Sequence, residues 1–368
     1  MPSRVAILPP VPVPYREPLF RALAQRGVVE PLVIYLAASQ QGWDQPREWF
    51  ANREGYPSEV LSGWQRARPG RSPVTVARGL GTELDRVDPA CVVSWEYGPA
   101  TWRAFAWCRR RRRPLLIFSE LTSWSDAALS AGQLRVHRLL APRADGFIVA
   151  SSQGAERLAG LGVDNGRVEV ALQSADLEPL LELERPERSA GPVRVVVVGR
   201  LVPDKNLPVL LDAFAEAGVS AEARLVFHGS GPLAAELRKR AAELGLSAHV
   251  AGPVAPAALR VVYADADVLA LVSTYEPFGV TMREGAAAGL PLLCSVRAGA
   301  AGDVAVDGEN ALLVDPDDRA ALVAALRRLV REPDLRARLA AGSRAVTARH
   351  PLTADAEAWE RAILRVAR

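Results

Sequence analysis

The sequence predicts an α/β protein built as two Rossmann-like domains whose parallel sheets face each other across a cleft. Three observations carry that expectation. Short β-branched or apolar runs alternate with helix-forming stretches along the whole chain, the signature of parallel strands joined by crossover helices. The 368 residues exceed what one hydrophobic core normally organises. A polar, proline-punctuated stretch, residues 179–192 with Pro179, Pro186 and Pro192, lies near the middle and reads as a linker. The expected organisation is therefore residues 1–178, the linker, residues 193–350, and a final segment 351–368 crossing back to the first domain. In such sheets ligands sit at the carboxyl ends of the strands.

In the first half, strands are expected at Val5–Leu8, Glu30–Tyr35, Ala90–Ser94, Leu115–Phe118 and Gly146–Val149. Helices are expected between them, notably Pro18–Gln25 and Thr75–Val87. In the second half, strands recur at Val193–Val198, Arg224–His228, Val268–Leu271, Pro291–Cys294 and Ala311–Val314. Helices there follow as Leu207–Ala217, Leu233–Leu244 and Thr281–Ala288, and a last one spans Thr353–Val366. Four consecutive valines, Val195 to Val198, mark a strand buried on both faces.

Composition narrows the function. With 49% apolar and 24% charged residues the chain is globular, and a net charge of +3 does not argue for nucleic acid. Its apolar runs fall short of the ~20 residues that span a bilayer. The N-terminus enters a strand directly and lacks the apolar core of a secretory signal. Cys91, Cys108 and Cys294 have no metal-ligand spacing, so a reduced, cytoplasmic protein without a metal or other cofactor is expected. Arg109 to Arg113, closed by Pro114, ends a helix that carries Trp102, Phe105 and Ala106 on one face. The plain reading is cations at a helix C-terminus; the sharper one is peripheral contact with anionic lipid at the inner face of the membrane.

Chemistry concentrates in Glu276-Pro277-Phe278-Gly279-Val280-Thr281-Met282-Arg283-Glu284. A strand, a glycine turn and a helix start leave backbone N–H groups where an anion can sit, with one carboxylate in the loop and another about one turn into the helix. Phosphate suits the N–H groups and hydroxyls suit the carboxylates; a nucleotide sugar has both. Upstream, Gly199, Arg200 and Lys205 follow the valine strand, and Lys205 is one of only two lysines beside forty-three arginines. Arg200 can fork onto phosphate oxygens and Lys205 adds a compact point charge. His228-Gly229-Ser230-Gly231-Pro232 reads as a tight chain reversal, with Gly231 structural.

These residues resemble the E-x7-E motif and the cation pair of the retaining glycosyltransferases of family 4, the glycosyl transferases group 1, which have the GT-B fold. The likeness is specific from about Val193 to Val314 and looser before it. It implies front-face transfer from a nucleoside diphosphate sugar, without a metal, to a sugar, lipid-linked or natural-product acceptor. Arg200 and Lys205 would hold the leaving diphosphate, and Glu276 with the Phe278–Gly279 backbone the donor sugar. Val280 and Thr281 N–H groups would assist, Glu284 would take the ribose hydroxyls, and the backbone near Pro253 the base. Relatives carry a Gly-Gly loop after the first strand; here it is Pro9 to Arg16, and Arg16 is the candidate to compensate toward the donor. Where relatives carry a histidine, Glu120 would face the reacting sugar. Trp43, Trp49, Trp64 and Trp124, with Glu96, are the acceptor candidates, since indole faces pack on sugar rings. A nucleotide-sugar 2-epimerase, and a silent nucleotide-sugar-binding partner subunit, remain open alternatives.

Overall fold

The computed structural model describes residues 2–41, 50, 53–68, 71–184, 191–246 and 248–367. The chain divides into two compact units: Met1–Ala175 together with Pro351–Arg368, and Asp176–His350.

The first unit is built on β1 (Ser3–Leu8), β2 (Val29–Tyr35), β3 (Ser58–Val60), β4 (Gly63–Arg68), β5 (Arg71–Ala77), β6 (Cys91–Trp95), β7 (Leu115–Ser119), β8 (Gly146–Val149) and β9 (Val168–Val170). Seven of these form a parallel sheet in the order β3-β2-β1-β6-β7-β8-β9. Chain order reverses between β1 and β6, so the loops after these strands diverge and leave a crevice at their carboxyl ends. Helices α1 (Glu17–Arg26), α2 (Leu80–Val87), α3 (Pro99–Arg111), α4 (Ala131–Leu140) and α5 (Ser152–Gly160) are the crossovers. Ser130 and Gln133 close a reciprocal capping box at the start of α4, satisfying donors that the helix cannot. Val92, Ile117 and Phe147 from the sheet pack with Ala104 of α3 and Leu140 of α4 in one buried core. Each such large side chain contributes roughly 1.5–3 kcal/mol on burial.

One expected element is corrected. Thr75–Val87 is not a single helix: β5 runs to Ala77, and α2 begins only at Leu80. Val74, Thr75 and Val76 are β-branched and alternate across a hairpin with β4, where Trp64 stands opposite Val76. Gly79, at φ 73, then turns the chain into the helix. Trp64 thus lies in a strand.

The second unit carries β10 (Val193–Val198), β11 (Ala223–His228), β12 (Ala248–Gly252), β13 (Val268–Leu271), β14 (Leu292–Ser295) and β15 (Ala311–Val314). All pairings are parallel, in the order β12-β11-β10-β13-β14-β15, so this sheet reverses between β10 and β13. Its helices are α6 (Glu178–Leu181), α7 (Leu207–Glu216), α8 (Ala234–Glu243), α9 (Leu259–Ala264), α10 (Val280–Ala287), α11 (Arg319–Arg331) and α12 (Pro333–Arg349). α6 occupies the start of the stretch expected as a linker; residues 185–190 of that stretch lie outside the described residues. Val195 and Val197 face one side of the sheet beside Leu210, Phe214 and Leu326.

The last helix, α13 (Leu352–Val366), belongs to the first unit. Its Trp359 stacks on Phe118 at 5.4 Å and approaches Trp95 at 6.2 Å. Glu360 accepts from Nε of Arg26 on α1 at 2.8 Å.

Candidate functional site

In the second unit the predicted residues gather at the carboxyl ends of β10 and β13, where the strand order reverses. Backbone approach at this end is too close for side chains. A Cβ on Gly229 would fall 1.7 Å from the Gly199 carbonyl oxygen, and one on Gly231 would fall 2.4 Å from that of Leu201. The turn Pro203–Lys205 follows, and Asn206, at φ 56, ties it down by donating to the Pro316 carbonyl at 3.2 Å.

Lys205 donates to Oε2 of Glu276, and the two side chains are 16% and 15% exposed. Ser273 Oγ stands 3.5 Å from the same oxygen. The Glu276 loop is held on a second segment: Gly299 N–H donates to the Glu276 carbonyl at 3.1 Å and Ala300 N–H to that of Phe278 at 2.8 Å. A Cβ on Gly299 would meet the Pro277 carbonyl oxygen at 2.1 Å, so only glycine lets the two segments lie together. Phe278 is buried, and Gly279, at φ 96, opens α10. The first N–H groups of α10, those of Val280 and Thr281, therefore point out of the helix start as anion donors.

Glu284 sits on α10 and accepts from the Tyr263 hydroxyl of α9 at 2.5 Å. Burial pushes its carboxyl above the usual range; Tyr263 opposes that shift, and the Asp176 charge adds to it. Arg200 is exposed just after β10, and Pro253 follows β12, two strands away from β10 in the sheet.

In the first unit, Arg16, Glu96 and Glu120 come together at the ends of β1, β6 and β7. Arg16 Nη2 donates to Glu120 Oε1 at 2.8 Å, and its guanidinium lies 4.5 Å from the Trp95 ring centre. Glu96 accepts from the Glu120 N–H at 2.6 Å and from Ser119 Oγ at 2.8 Å. Burial is the main cause that pushes the Glu96 carboxyl up to about 7; the hydrogen bond from Glu120 N–H opposes it and the Glu120 charge reinforces it. Trp64 and Trp124 are 49% and 41% exposed. Trp43 and Trp49 lie outside the described residues.

Several partners have no motif to announce them. Tyr263, 21 positions before Glu284, is one. Another is the buried group of Glu17, Tyr35 and Tyr56, in which both hydroxyls donate to the carboxylate. A third is His137, stacked on Tyr97 at 4.1 Å and bonded at Nδ1 by Arg157 at 2.8 Å. Burial foremost, then the Arg157 charge, pushes its pKa down to about 4. Tyr35 and Tyr263 could have been suspected from their place in apolar runs; Tyr56, in polar sequence, and the carboxylate partners could not.

Two family models match the chain in succession: Glycosyltransferase Family 4 over residues 18–178 and Glycosyl transferases group 1 over residues 182–346. The chain is a GT-B glycosyltransferase of the family 4 type. Its fold is that of HepE from Anabaena, solved in complex with UDP and glucose: the TM-score is 0.79 at 19% identity, over 99% of this chain and 100% of that one. Sequence likeness is more local. It is 34% identical over 139 residues to the mannosylfructose-phosphate synthase of Agrobacterium fabrum, covering 35% of this chain and 30% of that protein. It is 33% identical over 185 residues to the D-inositol 3-phosphate glycosyltransferase of Corynebacterium glutamicum, covering 45% of this chain and 44% of that protein. The matches thus span less than half the length of either relative. In family terms, the Glu276–Glu284 pair and Lys205 all lie in the group 1 segment.

Proposed function

We propose that this glycosyltransferase moves a sugar from a nucleoside diphosphate sugar to a hydroxyl or amine acceptor with retention of anomeric configuration. The observation that carries the proposal is the Lys205–Glu276 pair beside the open start of α10, with Glu284 held by Tyr263 further along that helix. In this reading Lys205 leaves Glu276 for the donor diphosphate, joined by Arg200 and by the Val280 and Thr281 N–H groups. Preorganised positive charge there stabilises the leaving group as it departs, and no metal is needed. Glu276, Phe278 and Gly279 then receive the sugar, Glu284 the ribose, and Gly199 and Pro253 flank the nucleotide. The exposed Trp64 and Trp124 offer ring faces to the acceptor.

Proton NMR of donor and acceptor mixtures tests it. An acceptor-dependent anomeric signal of the donor's configuration is expected. An inverted product would reject retention, and a new epimer of the donor formed without any acceptor would replace transfer by 2-epimerisation.

Peripheral attachment on the cytoplasmic side belongs to the same reading. No described helix is long and apolar enough to cross a membrane. Between Pro99 and Arg143 nine arginines stand against two acids, Glu120 and Asp126. Arg110 and Arg111 pair with Asp85, and Arg113 with Asp88. Arg109 instead lies 5.3 Å over the Phe105 ring, and Trp102 is 40% exposed. Basic residues near an anionic surface contribute ~1 kcal/mol each. Co-sedimentation with phosphatidylserine-containing vesicles is therefore expected to fall about fivefold or more in Trp102→Ala/Arg109→Gln/Arg112→Gln. Equal sedimentation of the variant and the parent would reject the attachment.

A further inference from the structure

The sheet of the second unit is packed on one face and only partly covered on the other. On the packed face Val195, Val197, Leu225 and Phe227 meet Leu210 and Phe214 of α7 and Leu237 of α8. Strand side chains alternate, so Val196 and Val226 point to the other face. There they line a cavity with Val261 of α9. The six residues of α9 make a helix ~9 Å long, whereas the six of β11 extend over ~20 Å. The short helix leaves about 490 Å³ open against the strands, within the range of small-molecule sites. Val261 stands at its rim, 66% exposed.

The same cavity is charged at one end and polar at the other. Arg194 and Arg224 stand directly opposite each other across β10 and β11, an unfavourable pairing of like charges. Both lie near the amino ends of their strands, away from the carboxyl ends where Lys205 and Glu276 gather. Asp265, just after α9, pairs with Arg194. Arg224 is exposed and has no ion pair among the described residues. Four residues along β11, ~13 Å away, is His228, whose Nδ1 is buried without a hydrogen-bond partner among the described residues. Burial first, then the His249 charge, hold the His228 pKa below its ordinary value against the pull of Asp265. At neutral pH that end of the cavity is therefore an uncharged hydrogen-bonding group.

We propose that this cavity is a second ligand site, for a small monocarboxylate with an apolar body. The carboxylate takes the forked guanidinium of Arg224, and the body lies along Val196 and Val226 beside Val261. A hydroxyl at the far end of the ligand pairs with His228 Nδ1. One negative charge fits and two do not. Arg194 is already balanced by Asp265, so the second charge of a phosphate monoester would face that carboxylate uncompensated. Every wall of the site belongs to the second unit, and its occupation does not depend on the transfer reading.

Calorimetric titration of the full chain with octanoate, below its micellar concentration and without nucleotide, tests the site. Octanoate is expected to bind, and acetate to bind at least about tenfold more weakly because it lacks the apolar body. Arg224→Met should weaken octanoate about tenfold, and Arg224→Lys, which keeps the charge, should recover part of that loss. ω-Hydroxyoctanoate should bind about threefold more tightly than octanoate, an advantage absent in His228→Leu. Octyl phosphate should bind more weakly than octanoate. Arg224 is exposed, so thermal unfolding of its variants should match the parent's. A parent that binds no octanoate, equal affinity in Arg224→Met, or octyl phosphate bound as tightly as octanoate would overturn the proposal. Displacement of octanoate by UDP, GDP, ADP or dTDP would overturn it too, by placing the cavity in the donor site. Failure of all four nucleotides to bind would count against the transfer reading alone and leave the octanoate result to decide this one.

Discussion

Lys205→Ala is expected to lower turnover about 10²–10³-fold while donor affinity falls by no more than about tenfold. The asymmetry follows from where charge appears. In the ground state the diphosphate is already solvated and can use Arg200 and the start of α10; in the transition state extra negative charge collects on the leaving oxygen. Removing one preorganised donor from such a site costs roughly 2.7–4 kcal/mol of transition-state stabilisation. The structure adds a control. Lys205 is bonded to Glu276, so alanine also strands a carboxylate that is only 15% exposed. Lys205→Ala/Glu276→Gln removes both charges, and its stability should return toward the parent's. Steady-state rates and donor titration on the single and double variants check this. Equal losses in turnover and in affinity would assign Lys205 to uniform binding.

Glu284→Ala should weaken donor binding about tenfold or more, because a charge-assisted hydrogen bond contributes ~1.5–3 kcal/mol. It also leaves the buried Tyr263 hydroxyl without the partner it holds at 2.5 Å, so a loss of about 1–3 kcal/mol in stability accompanies it. Comparing a nucleoside diphosphate with its 2′-deoxy form separates the two effects. If Glu284 reads the ribose, the variant should lose most of the preference for ribose over deoxyribose. An undiminished preference would move Glu284 to a purely structural role with Tyr263.

Much of this was legible in the chain because its signals are local. Val193–Val198, Gly146–Val149, Val268–Leu271 and Ala311–Val314 are strands at the residues their apolar runs indicate. Lys205 and Glu276 stand 71 positions apart, yet each follows a strand that borders the point of reversal, so topology brings them together. The Thr75–Val87 stretch misled because β-branched residues and helix formers adjoin there, and the hairpin with β4 decides for a strand up to Ala77. The Glu96 and Arg16 geometry was hidden for a different reason. Nothing in the sequence separates a carboxylate that faces a ligand from one whose two oxygens are taken by Ser119 and Glu120. Tyr263 was missed likewise, since an aromatic in an apolar run reads as core and it is indeed fully buried. The identity of base, sugar and acceptor rests on contacts of that same non-local kind.

A second unit that holds a nucleoside diphosphate sugar through Lys205, Glu276 and Glu284 should be stabilised by that ligand. Thermal stabilisation of the parent and of Glu284→Ala across UDP, dTDP, GDP and ADP and their sugar conjugates tests it most directly. Selective stabilisation by one diphosphate and its conjugate is expected, with the shift greatly reduced in the variant. No shift with any of them, or the same shift in both proteins, would contradict it.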